Sequence, residues 1–283
     1  MRRLVPSCLP LLLLLSAAPA LADHHATISA SALTKSDPAL AAAVADPRRN
    51  EDRARDAFRK PAETLSFFQI SPTMKVGEYA PGGGWYSRLL GLYLGPKGKL
   101  VGLYFNPLSG PFNEKSQQGI RDGAAKYPAE VAGWSGQPAD RFAAMTLDAV
   151  PEAEKGTFDR IIVARMMHNL LRWNIADSEV KAMRALLKDG GLLGIEQHRA
   201  KANAPFAYTD GSKGYLREAD VIKFMEINGF NFVGKSAANA NPRDTADYPE
   251  GVWELPPVLR TKREALKAVG ESDRMTLLFR KRR

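Results

Sequence analysis

The chain has 283 residues, of which 45% are hydrophobic and 25% are charged, with 23 Gly and 19 Pro. These proportions are typical of a globular protein and exclude collagen, an intrinsically disordered chain and a multi-span membrane protein. Lys and Arg outnumber Asp and Glu by 40 to 31, which gives a net charge of +9. Because the basic residues are spread along the chain and the densest run, at residues 280–283, has the character of a solvated tail, the charge predicts no nucleic-acid partner.

The first 22 residues have the organisation of a secretory signal peptide. A pair of arginines precedes an apolar run at residues 9–15, which is too short to span a bilayer, and Ala20-Leu21-Ala22 fits the A-x-A cleavage rule. We therefore predict a cleaved leader at residues 1–22 and an exported, periplasmic or secreted protein that starts near Asp23. No stable membrane insertion is expected after cleavage.

The single cysteine, Cys8, lies in that leader. The mature chain then has no thiol, which excludes disulfides, thiolate nucleophiles and cysteine-ligated zinc. Asp23-His24-His25 would place two histidines beside a free amino terminus, where copper or nickel can bind, but an unstructured end is the simpler account. We predict no metal site.

Residues 23–70 are predicted to form a leader and a helical cap. A short helix is expected at residues 39–45, and a helix pair follows it. Asn50 is a good N-cap for the first helix of the pair, and Pro61 suits the first turn of the second.

From residue 71 onwards, strand and helix patterns alternate, which predicts an α/β domain with a mostly parallel sheet and helices on both faces. The predicted strands are residues 74–79, 99–105, 141–147, 158–164, 192–196, 230–234 and 274–279. The predicted helices are residues 85–94, 179–187 and 217–228. Residues 237–270 have little periodicity and are expected to form a long ordered loop or a lid.

A glycine-rich turn follows the first predicted strand and opens a helix, in the sequence Glu78-Tyr79-Ala80-Pro81-Gly82-Gly83-Gly84. Glycines let backbone amides approach a ligand closely, and ligands of open parallel sheets bind beyond the carboxyl ends of the strands. A dinucleotide site requires G-x-G-x-x-G, but Ser87 stands at the last position. The ribose-binding acid expected after the second strand is also missing, so a nicotinamide cofactor is disfavoured.

Three more motifs follow the turn in chain order. Leu147-Asp148-Ala149-Val150-Pro151 forms an acidic segment after the third strand, residues 158–163 form the fourth strand, and residues 187–193 form a glycine turn before the fifth. With Glu78 and the glycine turn, they resemble the acid-x-G-x-G-x-G and later motifs of the class I S-adenosylmethionine-dependent methyltransferases, with Ala80 in place of the first glycine. Together with the leader, residues 51–56, 81–86 and 273–275 extend the resemblance to a group of exported bacterial predicted methyltransferases.

The resemblance implies a Rossmann-like seven-stranded domain at residues 71–283 and the cofactor S-adenosylmethionine. Glu78 would orient the turn and the methionine ammonium, while Ala80, Gly82, Gly83 and Gly84 would let the backbone pass beside the cofactor.

The same resemblance implies an adenine and a ribose site further along the chain. Asp148 would accept a hydrogen bond from the adenine amino group beside the Ala149 amide, although a turn or cap role remains open for Asp148. Tyr104 replaces the family's ribose-binding acid, which leaves Asn106 to reach a ribose hydroxyl.

His168 and His198 follow the fourth and fifth strands and face the expected crevice. Methyl transfer depends mainly on positioning, and a general base is needed only where the acceptor must lose a proton. The two histidines are the candidates for that role, with buried hydrogen-bonding or capping roles as the alternative. Tyr208 and Asp210 are weaker candidates.

The predicted function is therefore an S-adenosylmethionine-dependent methyltransferase that acts on an unidentified small acceptor. The alternative is a non-catalytic exported small-molecule-binding protein on the same scaffold, since a fold does not fix a function. Export conflicts with this cofactor, because S-adenosylmethionine is made in the cytoplasm. Three explanations stay open: an unidentified supply of the cofactor outside the cytoplasm, a binding protein for a different small molecule, or an uncleaved leader that anchors the domain at the membrane.

Overall fold

A computed structural model describes residues 37–283. The predicted leader, with Cys8 and the start near Asp23, lies outside the described residues, and so do His24 and His25. Between residues 37 and 283, none of the helices has the length and apolar character needed to cross a membrane.

Within residues 37–283, the sheet has seven strands: β1 (Lys75–Tyr79), β2 (Lys99–Tyr104), β3 (Phe142–Thr146), β4 (Phe158–Ala164), β5 (Leu187–His198), β6 (Phe230–Ser236) and β7 (Arg274–Lys281). Their order is β3-β2-β1-β4-β5-β7-β6. Strands β1 to β5 are parallel, while β7 lies antiparallel between β5 and β6. This confirms the predicted seven-stranded, mostly parallel sheet.

The helices are α1 (Pro38–Ala45), α2 (Asp56–Arg59), α3 (Pro61–Phe67), α4 (Trp85–Tyr93), α5 (Glu114–Ser135), α6 (Met167–Arg172), α7 (Ala176–Leu186), α8 (Phe206–Thr209) and α9 (Glu218–Ile227). They pack on both faces of the sheet, because successive side chains of a strand point to opposite sides. In β4, Ile161 and Val163 pack with α6, α7 and α9, whereas Ile162 packs with α3, α4 and α5.

Helix α5 was not among the predicted helices. Its 22 residues include three glycines and Pro128, which lower intrinsic helix propensity. Tertiary packing overrides that propensity, since Tyr127 and Val131 are fully buried against the sheet and Asn113 caps the helix through the Ser116 amide at 2.9 Å.

Two other expectations about local structure were wrong. Asn50 does not cap a helix: it ends a 3₁₀ turn at Pro47–Arg49, and α2 begins only at Asp56. The fifth strand begins at Leu187 rather than at residue 192, because Phe158 already pairs with Leu187 before a register shift in the ladder. Pro61, by contrast, opens α3 as expected.

Two segments cover the carboxyl edge of the sheet. The first is the cap, residues 38–70, and the second is the lid loop, residues 237–270, which contains two 3₁₀ turns and buries Tyr248, Leu255 and Leu266. Asn239 joins the two segments, because its side-chain amide donates to Thr64 Oγ1 in α3 at 2.8 Å and to Thr276 Oγ1 in β7 at 3.0 Å. The lid loop is thus ordered, as the sequence predicts.

Candidate ligand-binding site

A cavity of about 450 Å³ lies beyond the carboxyl ends of β1, β4 and β5. Its volume is within the usual range for small-molecule sites, about 300 to 1,000 Å³. The cavity lies between the glycine turn, the residues that follow β4 and β5, the cap and the lid loop. Of the residues predicted from the sequence, it brings together Ala80, Gly82, Gly83, His168 and His198.

The glycine turn alternates between left-handed and ordinary backbone. Ala80, Gly82 and Gly84 have φ angles of 49°, 56° and 73°. Gly84 has no room for a side chain, since a Cβ there would lie 2.5 Å from the Trp134 ring. A Cβ on Gly83 would meet nothing within 4 Å, and one on Gly82 only the Ala80 carbonyl oxygen at 3.9 Å. The turn therefore presents bare backbone to the cavity, as close approach of a ligand requires.

Glu78, at the end of β1, is buried beneath this turn and is 3% exposed. Its carboxylate accepts hydrogen bonds from Ser87 at 2.5 Å and from Tyr127 at 3.5 Å. Burial raises the pKa of Glu78 to about 7, although the hydrogen bonds from Ser87 and Tyr127 oppose that rise. An ionised carboxylate at this position is therefore costly to the folded state.

The cap is held against the glycine turn by charge. Asp52 accepts two hydrogen bonds from the Arg88 guanidinium, each at 2.6 Å, and Arg88 also donates to the Gly83 carbonyl at 2.8 Å. Two further cap arginines, Arg49 and Arg59, lie 5.3 Å and 4.8 Å from the centre of the Trp85 ring. These contacts fix the cap as one side of the cavity.

His168 and His198 lie side by side, with ring centres 5.6 Å apart. Gln197 fixes the tautomer of His168: its amide nitrogen donates to the Gly214 carbonyl at 2.7 Å, so its oxygen faces His168 Nδ1 at 3.3 Å. An amide oxygen only accepts, so Nδ1 carries the proton and Nε2 is free to accept one. His198 Nδ1 lies 2.6 Å from the Ser272 hydroxyl.

Both imidazoles are neutral at physiological pH. Burial lowers the pKa of His168 to about 4, and burial followed by the neighbouring His168 and arginines holds the pKa of His198 well below its usual value. The two histidines predicted from the sequence can therefore each accept a proton at neutral pH.

This assignment predicts an NMR observation. The ¹⁵N resonances of His168 should show a neutral ring protonated at Nδ1 from pH 8 down to about pH 5, because the charged form would be buried. A His168→Asn variant assigns the signals, and a titration midpoint near 6.5 would contradict the assignment.

Sequence reasoning missed the arginines of the cavity. Arg55, Arg59 and Arg165 all line it, together with Glu271 from the residues before β7. Arg165 could have been predicted from the sequence, since it directly follows β4 at the same sheet edge as His168. The cap arginines could not, because nothing in the sequence shows where the cap packs on the domain.

Asn106, Asp148 and Ala149 do not line this cavity. The Asn106 amide donates to Glu179 at 2.9 Å, its side-chain oxygen accepts from Leu108, and the Ala149 amide donates to the Thr146 carbonyl at 3.1 Å.

Asp148 differs from these two in having an unused oxygen. Its Oδ2 pairs with Arg121 at 3.0 Å, whereas its Oδ1 is buried and has no hydrogen-bond partner among the described residues.

Tyr104 does not act as a polar group at the end of β2. Its ring packs edge-on against Tyr127 with centres 6.1 Å apart and lies over Gly123, 3.0 Å from the position of a Cβ there. The weaker candidates also stay outside the cavity: Tyr208 donates to the Tyr248 carbonyl, and Asp210 accepts from the Ser212 amide.

No protein-family model and no curated protein matches this chain. Solved structures do resemble it. A SAM-dependent methyltransferase from Aquifex aeolicus aligns over 70% of this chain and 91% of its own, at 17% identity and a TM-score of 0.46. The Burkholderia thailandensis 1,6-didemethyltoxoflavin-N1-methyltransferase, solved with S-adenosylhomocysteine, aligns over 83% and 82%, at 14% identity and a TM-score of 0.44.

The cyclase SpnF aligns over 87% of this chain and 95% of its own, at 12% identity and a TM-score of 0.51. The chain has the fold of SpnF. At this identity the likeness concerns the fold alone, and one fold supports more than one chemistry. The function must therefore be argued from the cavity.

Proposed function

We propose that this protein is an S-adenosylmethionine-dependent methyltransferase that acts on a small acceptor. The observation that carries the proposal is the glycine turn after β1, where Gly82 and Gly83 present bare backbone to the cavity. Beside that turn the cavity also holds two neutral imidazoles. A cavity at the carboxyl edge of a mostly parallel sheet is compatible with this function.

The described residues fit such a cofactor. Gly82 and Gly83 leave room for it at the cavity, and Glu78 supplies a carboxylate below the turn. Asp148, which lies outside the cavity after β3, has a buried oxygen without a partner among the described residues. That oxygen is an acceptor suited to an amino group such as that of adenine. When bound, the cofactor supplies an electrophilic methyl group.

The remaining residues of the cavity would serve the acceptor. Trp253 and the prolines of the lid loop give the cavity apolar lining against which an acceptor can pack. His168 Nε2 is placed to take a proton from an acceptor that must lose one, and the neutral ring is the form that does so.

A non-catalytic binding protein remains the second candidate. The observation that favours it is Tyr104, which packs against Tyr127 where a ribose-binding acid would be expected. Such a protein would bind a small molecule in the same cavity without transferring a group.

Calorimetry with S-adenosylhomocysteine separates the two candidates. We expect the wild-type protein to bind it and Asp148→Ala to bind more weakly by about 1 to 3 kcal/mol, the value of one hydrogen bond to a charged group. Asp177→Ala is the control, because Asp177 is an exposed partner of Lys181 on α7. No heat from the wild type at millimolar ligand would contradict the transferase and leave the binding protein.

A further inference from the structure

Arg59 is a buried cation with unused hydrogen-bond donors. Its side chain is 1% exposed, and both terminal nitrogens have no hydrogen-bond partner among the described residues. Among the described residues only Nε has a partner, Glu271 at 3.3 Å, while the guanidinium carbon lies over the Trp85 ring, 4.8 Å from its centre. An aromatic ring stabilises the charge but accepts none of these N–H groups in the ordinary way. Buried polar groups normally have partners, so this arrangement indicates a missing acceptor.

Arg165 presents a second such group to the same cavity. It has a left-handed backbone with φ of 53°, which costs a non-glycine residue free energy and is found preferentially at functional sites. Across residues 37–283, its guanidinium makes no ion pair, and its buried Nε has no hydrogen-bond partner. Burial, followed by repulsion from Arg165, lowers the pKa of Arg59 to about 10. The two cations therefore repel one another, and of the two only Arg59 has a carboxylate within ion-pair distance among the described residues.

The charges around the cavity do not balance. Four guanidinium groups lie close together, those of Arg55, Arg59, Arg165 and Arg274. Two carboxylates pair with them: Glu271 lies 2.6 Å from Arg55 and 3.1 Å from Arg274, and Glu196 lies 2.8 Å from Arg274. Glu78 also acts on Arg165, but with a pKa of about 7 it carries only part of a charge at neutral pH. Arg88 does not enter the balance, because Asp52 neutralises it. Positive charge is left over at a place sheltered from water, where it is costly.

The cofactor does not correct this imbalance. This step depends on the proposed function: S-adenosylmethionine carries a sulfonium, an ammonium and a carboxylate, so its net charge is positive. The complete site is balanced only if the acceptor brings negative charge. Guanidinium groups bind carboxylate and phosphate oxygens through paired N–H donors, and Arg59 and Arg165 both have donors to spare.

We propose that the methyl acceptor is a small organic acid whose carboxylate or phosphate is bound by Arg59 and Arg165. The rest of the acceptor lies against the apolar groups of the lid loop, Val252, Trp253 and the Pro256-Pro257 pair, which line the same cavity. An acceptor with an oxyanion at one end and an apolar body at the other would match both the arginines and the apolar residues that line the cavity.

Benzoate and inorganic phosphate are suitable probes, used by calorimetry on protein saturated with S-adenosylhomocysteine. We expect benzoate to bind, and Arg59→Met and Arg165→Met each to weaken it at least about tenfold, as expected for loss of charge-assisted hydrogen bonds. Arg49→Met is the matched control: Arg49 is equally buried and also lies against Trp85, but Asp56 binds its guanidinium and it does not line the cavity. Arg59→Lys should restore part of the affinity, since it keeps the charge.

The remaining question is whether the two arginines bind the acceptor or the carboxylate of the cofactor. 5′-Methylthioadenosine, which lacks the amino acid part, answers it. If Arg59→Met weakens S-adenosylhomocysteine about tenfold and leaves 5′-methylthioadenosine unchanged, the arginine binds the cofactor and our inference is overturned.

Two further outcomes separate this inference from the proposed function. Binding of S-adenosylhomocysteine without arginine-dependent binding of benzoate or phosphate refutes the oxyanion site and keeps the transferase. Arginine-dependent benzoate binding without any binding of S-adenosylhomocysteine refutes the acceptor and the transferase together, and leaves an acid-binding protein. Arg165→Met guards against misfolding, because Arg165 has no ion pair and its removal leaves no carboxylate unpaired. Thermal unfolding of each variant completes the control.

Discussion

A valine at position 83 should abolish binding of S-adenosylhomocysteine while leaving the fold intact. Gly83 does not have a left-handed φ, and a Cβ there meets nothing within 4 Å, so the folded protein can accommodate the new side chain. The space that the valine fills is the space over which a cofactor would pass. We expect the affinity to fall by about 100-fold or more, which corresponds to roughly 3 kcal/mol of lost binding. Calorimetry measures the affinity, and thermal unfolding measures the fold.

Gly133→Val is the matched control for this substitution. Gly133 lies in α5, where an added Cβ also meets nothing within 4 Å, and it does not line the cavity. The affinity of Gly133→Val for S-adenosylhomocysteine should equal that of the wild type. Undiminished binding by Gly83→Val would place the cofactor elsewhere, and the proposed function would lose its main support.

Replacing Glu78 with glutamine should stabilise the protein at high pH and weaken its binding of S-adenosylhomocysteine. The pKa of Glu78 is about 7 in the folded protein against 4.5 in an unfolded chain. Between these values the folded state binds more protons, so the free energy of unfolding falls as the pH rises. Above pH 7 the wild type has lost up to roughly 3 kcal/mol, a loss that the uncharged variant does not suffer.

The pH dependence is best measured as the difference in free energy of unfolding between the wild type and Glu78→Gln. His168 acts in the opposite direction between pH 4 and 6.5, because its lowered pKa makes stability rise with pH there, but it is common to both and cancels. Chemical denaturation at pH 5 and pH 8 should show the variant gaining relative to the wild type. Glu130→Gln, an exposed change on α5, should show no such gain. A variant less stable than the wild type at pH 8 would contradict the buried-charge account.

The alternation of strands and helices could be predicted because it depends on local patterns. Buried parallel strands such as β4 are continuous apolar runs, and Pro61 marks the start of α3 whatever lies around it. Helix α5 could not be predicted, since its glycines and Pro128 oppose a helix that packing enforces. The prediction for Asn50 was wrong for a related reason. A capping residue marks a helix start only where a helix directly follows it, and α2 begins only at Asp56.

The candidate site also combines residues that could be predicted from the sequence with residues that could not. His168, His198 and the glycine turn were found because residues at the carboxyl ends of parallel strands meet at one edge. Arg59 was not found, because its place depends on how the cap docks, and that rests on contacts such as Asp52 with Arg88 across distant parts of the chain. Asp148 and Asn106 were named through a resemblance, and the structure places them outside the cavity that contains the histidines.

The Asn239 amide, at the start of the lid loop, connects α3 with β7. This connection affects which truncated fragments of the protein are suitable for ligand-binding studies. A fragment that begins at residue 71 retains all seven strands but loses α3 and Phe68, which cover Ile162 and Gly194 on one face of the sheet. It would also lack Thr64, the cations over Trp85 and the Asp52 partner of Arg88, so that one side of the ligand cavity would be open to water. Ligand screens on such a fragment would report weak or no binding for compounds that bind tightly when the cap is present.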